Sequence, residues 1–129
     1  MSKAGLRILV VEDEAVFRHS LVSYLEHDGA CVLQAEDGIE GLSAAALYHP
    51  DVVLCDLNMP NMDGYRLTQR IRQLGLTLPV VGVTANALAE EKQRCLESGM
   101  DSCLSKPVTL DVLKQTLSIY ADRVRKTRI

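Results

Sequence analysis

The sequence LRILVV, residues 6–11, is a nearly continuous run of Leu, Ile and Val that leads directly into the acids Glu12, Asp13 and Glu14. A nearly continuous apolar run of this length is typical of a strand that is covered on both faces, as strands of parallel sheets are. Two similar runs follow, DVVLC at residues 51–55 and PVVGV at residues 79–83. The chain is therefore predicted to contain a buried parallel sheet.

Helical patterns separate these runs along the chain. Two weaker strands are predicted at residues 30–35 and about 101–104, and apolar residues recur at helical spacing after each strand. The residues that mark the five helices are Phe17, Leu21, Tyr24 and Leu25; Ile39, Leu42, Ala45 and Ala46; Leu67, Ile71 and Leu74; Leu88, Cys95 and Leu96; and Leu110, Leu113, Leu117, Tyr120 and Val124. Five strands alternating with five helices predict an α/β fold with right-handed crossovers, doubly wound around the sheet.

Length and composition limit the function classes. We expect one domain over residues 1–129, with its core at about 6–120. The 14 basic and 17 acidic residues give a net charge of −3, which disfavours direct nucleic-acid binding. No apolar run approaches the ~18 residues that span a bilayer, so neither a membrane segment nor a secretion signal is expected and a cytoplasmic location is predicted. The cysteines Cys31, Cys55 and Cys103 lie in or beside apolar runs and are predicted to be buried, reduced thiols.

Polar residues follow four of the predicted strands. Glu12 and Asp13 come after the first strand, Asp56 after the third, Thr84 after the fourth and Lys106 after the fifth. Ligands of open α/β sheets bind at the carboxyl ends of the strands, near the change in strand order. We therefore expect these five side chains to form one site, with the acids after the second strand lying to one side.

The chemistry of such a site follows from its charges. At ~5 Å and an effective dielectric of ~20, each pair of carboxylates repels by roughly 3 kcal/mol. A hard divalent cation, Mg²⁺ or Mn²⁺, removes that repulsion and prefers oxygen ligands. With the ammonium of Lys106 and the hydroxyl of Thr84 beside the cation, the site would receive a phosphoryl group, and Asp56 would be the nucleophile that forms an acyl phosphate.

These motifs resemble a known family. The span from about Leu6 to Tyr120 is similar to the receiver domains of two-component response regulators, whose motifs match Glu12-Asp13, the strand 51–56 leading into Met59-Pro60 and Asp63-Gly64, Thr84-Ala85, and Lys106-Pro107. The resemblance implies a flavodoxin-like fold of five parallel strands in the order 2-1-3-4-5. It also implies a phosphohistidine donor, on a histidine kinase or a histidine phosphotransfer domain, in a phosphorelay.

The resemblance further implies a role for each site residue. Asp56 would accept the phosphoryl group, and Mg²⁺ would be held by Asp13, Asp56 and the main-chain carbonyl of Asn58, with Glu12 acting through a bound water. Thr84 and Lys106 would contact the phosphoryl oxygens. The peptide bond between Lys106 and Pro107 is expected to be cis.

Three positions depart from the family pattern or modulate it. Cys103 stands where many members carry an aromatic residue, so the usual aromatic switch is in doubt and relay of the phosphoryl group is favoured. Asn58 and Asn86 are neutral, and neither offers a carboxylate base for water, so an acyl phosphate that is not especially short-lived is expected.

Two further hypotheses stay open from the sequence. Residues 58–126 are most similar to receivers of hybrid sensor kinases in phosphorelays, whereas the first half looks more like a stand-alone response regulator. The chain is either a divergent relative or two receivers joined near the third strand. The alternative function is a protein-interaction module on the same fold that works without phosphorylation, and no separate substrate turnover is expected in either case.

Overall fold

The computed structural model describes residues 5–59, 61–85 and 88–127, with side chains of the last helix described through Arg123. The elements alternate as predicted: β1 (Arg7–Val11), α1 (Ala15–His27), β2 (Cys31–Ala35), α2 (Gly38–Tyr48), β3 (Val52–Asp56), α3 (Gly64–Gln73), β4 (Val80–Thr84), α4 (Ala89–Glu97), β5 (Ser102–Ser105) and α5 (Leu110–Thr127). Across these residues, no helix combines the length and the apolar character that a membrane crossing requires.

All five strands join one parallel sheet in the order β2-β1-β3-β4-β5, so the predicted fold class and strand order are confirmed. β1 and β3 lie side by side at the centre, where the strand order changes direction. Asp56 and Thr84 are the last residues of β3 and β4 rather than the first residues beyond them. The carboxyl ends of β1, β3, β4 and β5 therefore meet at one edge.

The sheet separates two hydrophobic clusters. Ile8, Val10 and Leu54 point into the cluster that contains buried residues of α1 and α5. Leu9 and Val53 point to the opposite cluster, which contains buried residues of α2, α3 and α4. Because successive residues of a strand face opposite sides, both faces of the central strands are apolar, which explains their nearly continuous apolar runs.

Small residues, rather than the predicted larger ones, form the inner face of α2. Gly38, Gly41 and Ala45 are buried, whereas Ile39 is 53% exposed. A Cβ on Gly41 would lie 2.9 Å from a methyl carbon of Val11, so the helix lies too close to the sheet for a larger side chain. The predicted apolar face of α2 is therefore partly wrong, because the helix packs so closely on the sheet that only glycine fits at position 41.

Burial is also predicted wrongly at four leucines of other helices. The predicted helix-face residues that are more than half exposed in the structure are Leu74, Leu88, Leu96 and Leu110. Each lies at the end of its helix or on its outer side, where spacing alone does not guarantee a covering element. Cys31 is exposed and Cys103 is partly exposed, so their predicted burial is wrong, while Cys55 is buried as predicted. Cys31 and Cys103 belong to the two edge strands of the sheet.

Candidate functional site

Three carboxylates converge at the carboxyl ends of β1 and β3. The register pairs Val11 with Cys55, and the next residues along the two strands, Glu12 and Asp56, therefore lie side by side. Carboxylate oxygens of Glu12, Asp13 and Asp56 all lie within 4.8 Å of one another. The predicted convergence of the acids is thus present, and these oxygens could hold a metal ion.

Two of these acids are removed from water. Glu12 is 2% exposed and Asp56 is 6% exposed, whereas Asp13 faces solvent. Burial, and then the adjoining Asp56 carboxyl group, raise the pKa of Glu12 to about 7. A positive charge near Glu12 would favour the ionised form of this carboxyl group.

Lys106 supplies one such charge. Its Nζ lies 3.2 Å from Oε1 of Glu12 and 3.6 Å from Oδ2 of Asp56. Partial burial, which alone would lower the pKa of Lys106, is outweighed by the hydrogen bond to Glu12 and the charges of both acids, so this pKa is raised. The ammonium also lies 4.8 Å from the centre of the Phe17 ring, on its face. Lys106 is thus held between two carboxylates and an aromatic face.

The loop that carries Glu12 and Asp13 is fixed by contacts of its own. Glu14 caps α1, since its carboxylate accepts hydrogen bonds from the amides of Val16 and Phe17. The amide of Glu14 in turn donates to Oε2 of Glu12 at 3.2 Å. Charged caps at a helix N-terminus are stabilised by the helix dipole.

Arg18 helps to position the loop of Glu12 and was not predicted from the sequence. Its side chain is buried, and its Nη1 donates to the carbonyl of Glu12 at 2.8 Å while its Nε reaches Gln34 at 3.3 Å. Nη2 forms an ion pair with Glu36 at 3.4 Å. The available signal was a charged residue three positions before the buried Leu21, on the inner face of α1.

The remaining site residues lie where the strand ends predict. The amide of Asn58 donates to Oδ1 of Asp56 at 3.3 Å, while a ligand role for its carbonyl stays a prediction. Thr84 is 1% exposed, and its carbonyl accepts a hydrogen bond from the amide of Lys106 at 2.7 Å. The Lys106–Pro107 bond is cis, as expected.

Other named residues lie away from the carboxylates or outside the described chain. Asp37 caps α2 and accepts a hydrogen bond from Asn61, and neither Asp37 nor Glu36 belongs to the carboxylate group of Glu12, Asp13 and Asp56. Cys103 contacts Cys95 on α4. Asn86 lies outside the described residues.

This geometry agrees with the comparison of the chain with known families. The response regulator receiver domain family matches residues 8–118. The chain belongs to this family. The matched range includes every motif that carried the family resemblance, from Glu12-Asp13 to Lys106-Pro107.

Three relatives illustrate the similarity. The sensor histidine kinase RcsC of Salmonella typhimurium is 68% identical over 127 residues, which are 98% of this receiver but 13% of that protein. The phosphoreceiver domain of Escherichia coli RcsC, solved in solution, has a TM-score of 0.80 at 67% identity and covers 95% of this chain and 92% of its own. The receiver of sensor histidine kinase PA1611 from Pseudomonas aeruginosa PAO1 holds a magnesium ion in its active-site cleft. That structure has a TM-score of 0.84 at 34% identity, and the match covers 92% of this chain and 99% of that receiver.

These relatives confirm the similarity to receiver domains of sensor kinases that residues 58–126 suggested. The 127-residue match to RcsC includes both the first half of the chain and residues 58–126, the two segments that could have had separate origins. One relative thus accounts for the whole receiver, and a junction of two receivers is not needed to explain it.

Proposed function

We propose that this receiver accepts a phosphoryl group on Asp56 from a phosphohistidine and passes it on in a phosphorelay. The single observation that carries the proposal is the buried Asp56 carboxylate, which lies within 4.8 Å of oxygens of two further acids and 3.6 Å from the Lys106 ammonium. A nucleophilic carboxylate beside a fixed positive charge is the arrangement that phosphoryl transfer requires. The family and the RcsC relatives support the same function.

A divalent cation, Mg²⁺ or Mn²⁺, fits the carboxylates of this site. Asp13 and Asp56 would hold it directly with the carbonyl of Asn58, and Glu12 would act through water. The pKa of Glu12 is raised first by burial and then by the adjoining Asp56 carboxyl group, and a cation beside these two acids would favour the ionised form of Glu12. When bound, the ion would neutralise negative charge on the incoming phosphoryl oxygens.

The transfer itself uses groups of the chain. An oxygen of Asp56 attacks phosphorus, the bond from phosphorus to the imidazole nitrogen breaks, and the imidazole leaves with the bonding electrons. Lys106 and Thr84 would donate to the phosphoryl oxygens, each such charge-assisted bond contributing about 1.5–3 kcal/mol. The amide of Asn58, already bonded to Asp56, orients the attacking carboxylate.

Relay is favoured over a strong conformational output. Cys103 occupies the position of the family's aromatic switch, and a thiol transmits little steric change. Asn58 and Asn86 provide no carboxylate base to activate water, so the acyl phosphate would persist long enough for onward transfer. The receiver would catalyse its own phosphorylation and dephosphorylation and turn over no separate substrate.

The partners would be histidine kinases or histidine phosphotransfer domains, with no direct nucleic-acid or membrane contact. We place the receiver in the cytoplasm, because a phosphohistidine is generated there from ATP. Residues 1–129 would act as one receiver domain, with its core at about 6–120.

The test is incubation with a small acyl phosphate and Mg²⁺, followed by intact mass spectrometry. Wild type should gain one phosphoryl group, Asp56→Asn should gain none, and Asp122→Asn, an exposed control on α5, should behave as wild type. An unmodified but folded wild-type chain would contradict the proposal and favour the phosphorylation-independent interaction module.

A further inference from the structure

A pair of thiols joins α4 to β5 outside the carboxylate site. The Sγ atom of Cys95, on the inner face of α4, donates a hydrogen bond to Sγ of Cys103 at 3.1 Å. Cys103 lies in the middle of β5, three residues before Lys106. The two sulfur atoms therefore need to move by only about one ångström to reach bonding distance.

The two thiols differ in their access to solvent. Cys95 is fully buried, whereas Cys103 is partly exposed and lines an open groove of about 370 Å³ together with Lys92, Pro107 and Val108. A small reagent can therefore reach Cys103 first and leave Cys95 as the resolving partner. A solvent-accessible cysteine next to a second, resolving cysteine is an arrangement in which a first oxidation can be followed by disulfide closure.

The other two cysteines lack this arrangement. Cys31 is exposed on the opposite edge strand, β2, and Cys55 is buried within the central strand β3. Cys31 therefore serves as a control for an exposed thiol, and Cys55 serves as a control for a thiol buried at the centre of the sheet.

We propose that Cys95 and Cys103 are a modification site that a peroxide converts to an intramolecular disulfide. The Cys103 sulfur attacks the peroxide, whose O–O bond breaks, giving a sulfenic acid and one water. The Cys95 sulfur then attacks the Cys103 sulfur, the S–O bond breaks, and the departing oxygen leaves as a second water with the Cys95 proton. Two thiols are oxidised and one hydrogen peroxide is reduced to two waters.

The disulfide would tie α4 to the strand that leads to Lys106. Cys95 is the one buried residue of α4. A covalent bond from Cys95 would therefore attach the helix to β5 at the position where it already packs against the rest of the protein. Burial, and then the hydrogen bond with Cys95, raise the pKa of Cys103 to about 12. Cys103 is therefore slow to react with peroxide at neutral pH.

The test is exposure of the folded full chain to hydrogen peroxide at about pH 9, where more thiolate is present, with intact mass and peptide mapping as readouts. The expected product is a monomer lighter by two hydrogens, with a peptide cross-link between Cys95 and Cys103. Cys31→Ser should form the same product, whereas Cys95→Ser and Cys103→Ser should not. Amide exchange over residues 89–97 should slow several-fold after oxidation and recover on reduction.

Three results would overturn the proposal: oxygen addition without cross-linking, a cross-link that uses Cys31 or Cys55, or no reaction while the urea-unfolded chain is fully oxidised. The Asp56→Asn variant should form the same cross-link, because disulfide formation requires no phosphoacceptor. This result distinguishes the disulfide proposal from the proposed phosphoryl acceptance. A wild type that forms the disulfide but takes up no phosphoryl group would refute only the proposed function.

Discussion

Strands β3 and β5 both deliver a charged group to the site, but they do so from different surroundings. Every residue of β3 is buried, with Val52, Val53 and Cys55 fully inaccessible to solvent. Every residue of β5 is half-buried, and the strand lies at the edge of the sheet with β4 as its one neighbour in it. The carboxylate of Asp56 is thus positioned by the core, whereas the ammonium of Lys106 is carried by a more lightly packed strand.

The flanking helices show the same contrast. α1, beside the acids, has a side-chain cap from Glu14 and buries four of its residues. α4, beside β5, buries one residue and begins after Leu88, which supplies no side-chain cap. Regions with few buried contacts open at lower free energy than the core, so α4 and β5 form the flank of the site that is easier to move.

Truncating one leucine on each strand gives the largest expected difference. Leu54→Ala on β3 should lower the free energy of unfolding by about 2–5 kcal/mol, since it removes a buried side chain from the central strand. Leu104→Ala on β5 should cost about 1 kcal/mol, because this side chain is only partly buried. Urea denaturation measures both, and equal losses would refute the contrast between the strands.

Glu12 makes the acid side sensitive to pH. Its folded pKa is about 7 against an ordinary 4.5, so the folded state binds this proton more tightly than the unfolded chain does. In chelator, its contribution to stability should be fully present below about pH 4.5 and fall as pH rises to about 7, by up to about 3 kcal/mol.

Glu12→Gln isolates that contribution, because the amide does not titrate. The wild type should lose stability relative to Glu12→Gln as pH rises through this window in urea denaturation series. A difference between the two that stays constant with pH would show that the acid cluster is not crowded in the metal-free fold.

Asp13 should account for a large share of metal affinity. Asp13→Ala is expected to weaken Mg²⁺ binding by about thirtyfold, or about 2 kcal/mol, because it removes one of the oxygens that lie within 4.8 Å of one another. Isothermal titration calorimetry measures the dissociation constant, with Asp122→Ala, at an exposed position of α5, as the matched control. Equal weakening in the control would indicate general charge loss instead of a local site.

The smallest predicted effect concerns the start of α4. Leu88→Ser should stabilise this helix by about 0.5–1 kcal/mol, since a hydroxyl can accept from the first free amides of the helix. Leu88→Ala is the control that removes the same side chain without adding an oxygen. Amide exchange over residues 89–97 should slow in the serine variant alone, and equal exchange in both would mean that capping does not limit α4.

The central strands and the site could be predicted from sequence because their signals are local. Residues 6–11 and 51–55 are apolar apart from Arg7 and Asp51, and a parallel sheet requires that its strand ends meet, so Asp56 and Lys106 could be placed together from the sequence alone. The helix faces were harder to predict. Spacing predicted Ile39 and Leu96 inside, yet both are more than half exposed, because burial depends on which element covers a position.

The order of residues by itself determined the strand–helix alternation, the sheet edge where the acids and Lys106 meet, and the identity of those residues. It did so because the periodicity of apolar residues and the identity of strand-end residues are properties of short segments. Only the tertiary structure decided that Arg18 fixes the Glu12 loop, that Phe17 covers the Lys106 ammonium and that Cys95 contacts Cys103. These contacts join elements that are packed by the fold, and their distances depend on how closely each helix approaches the sheet.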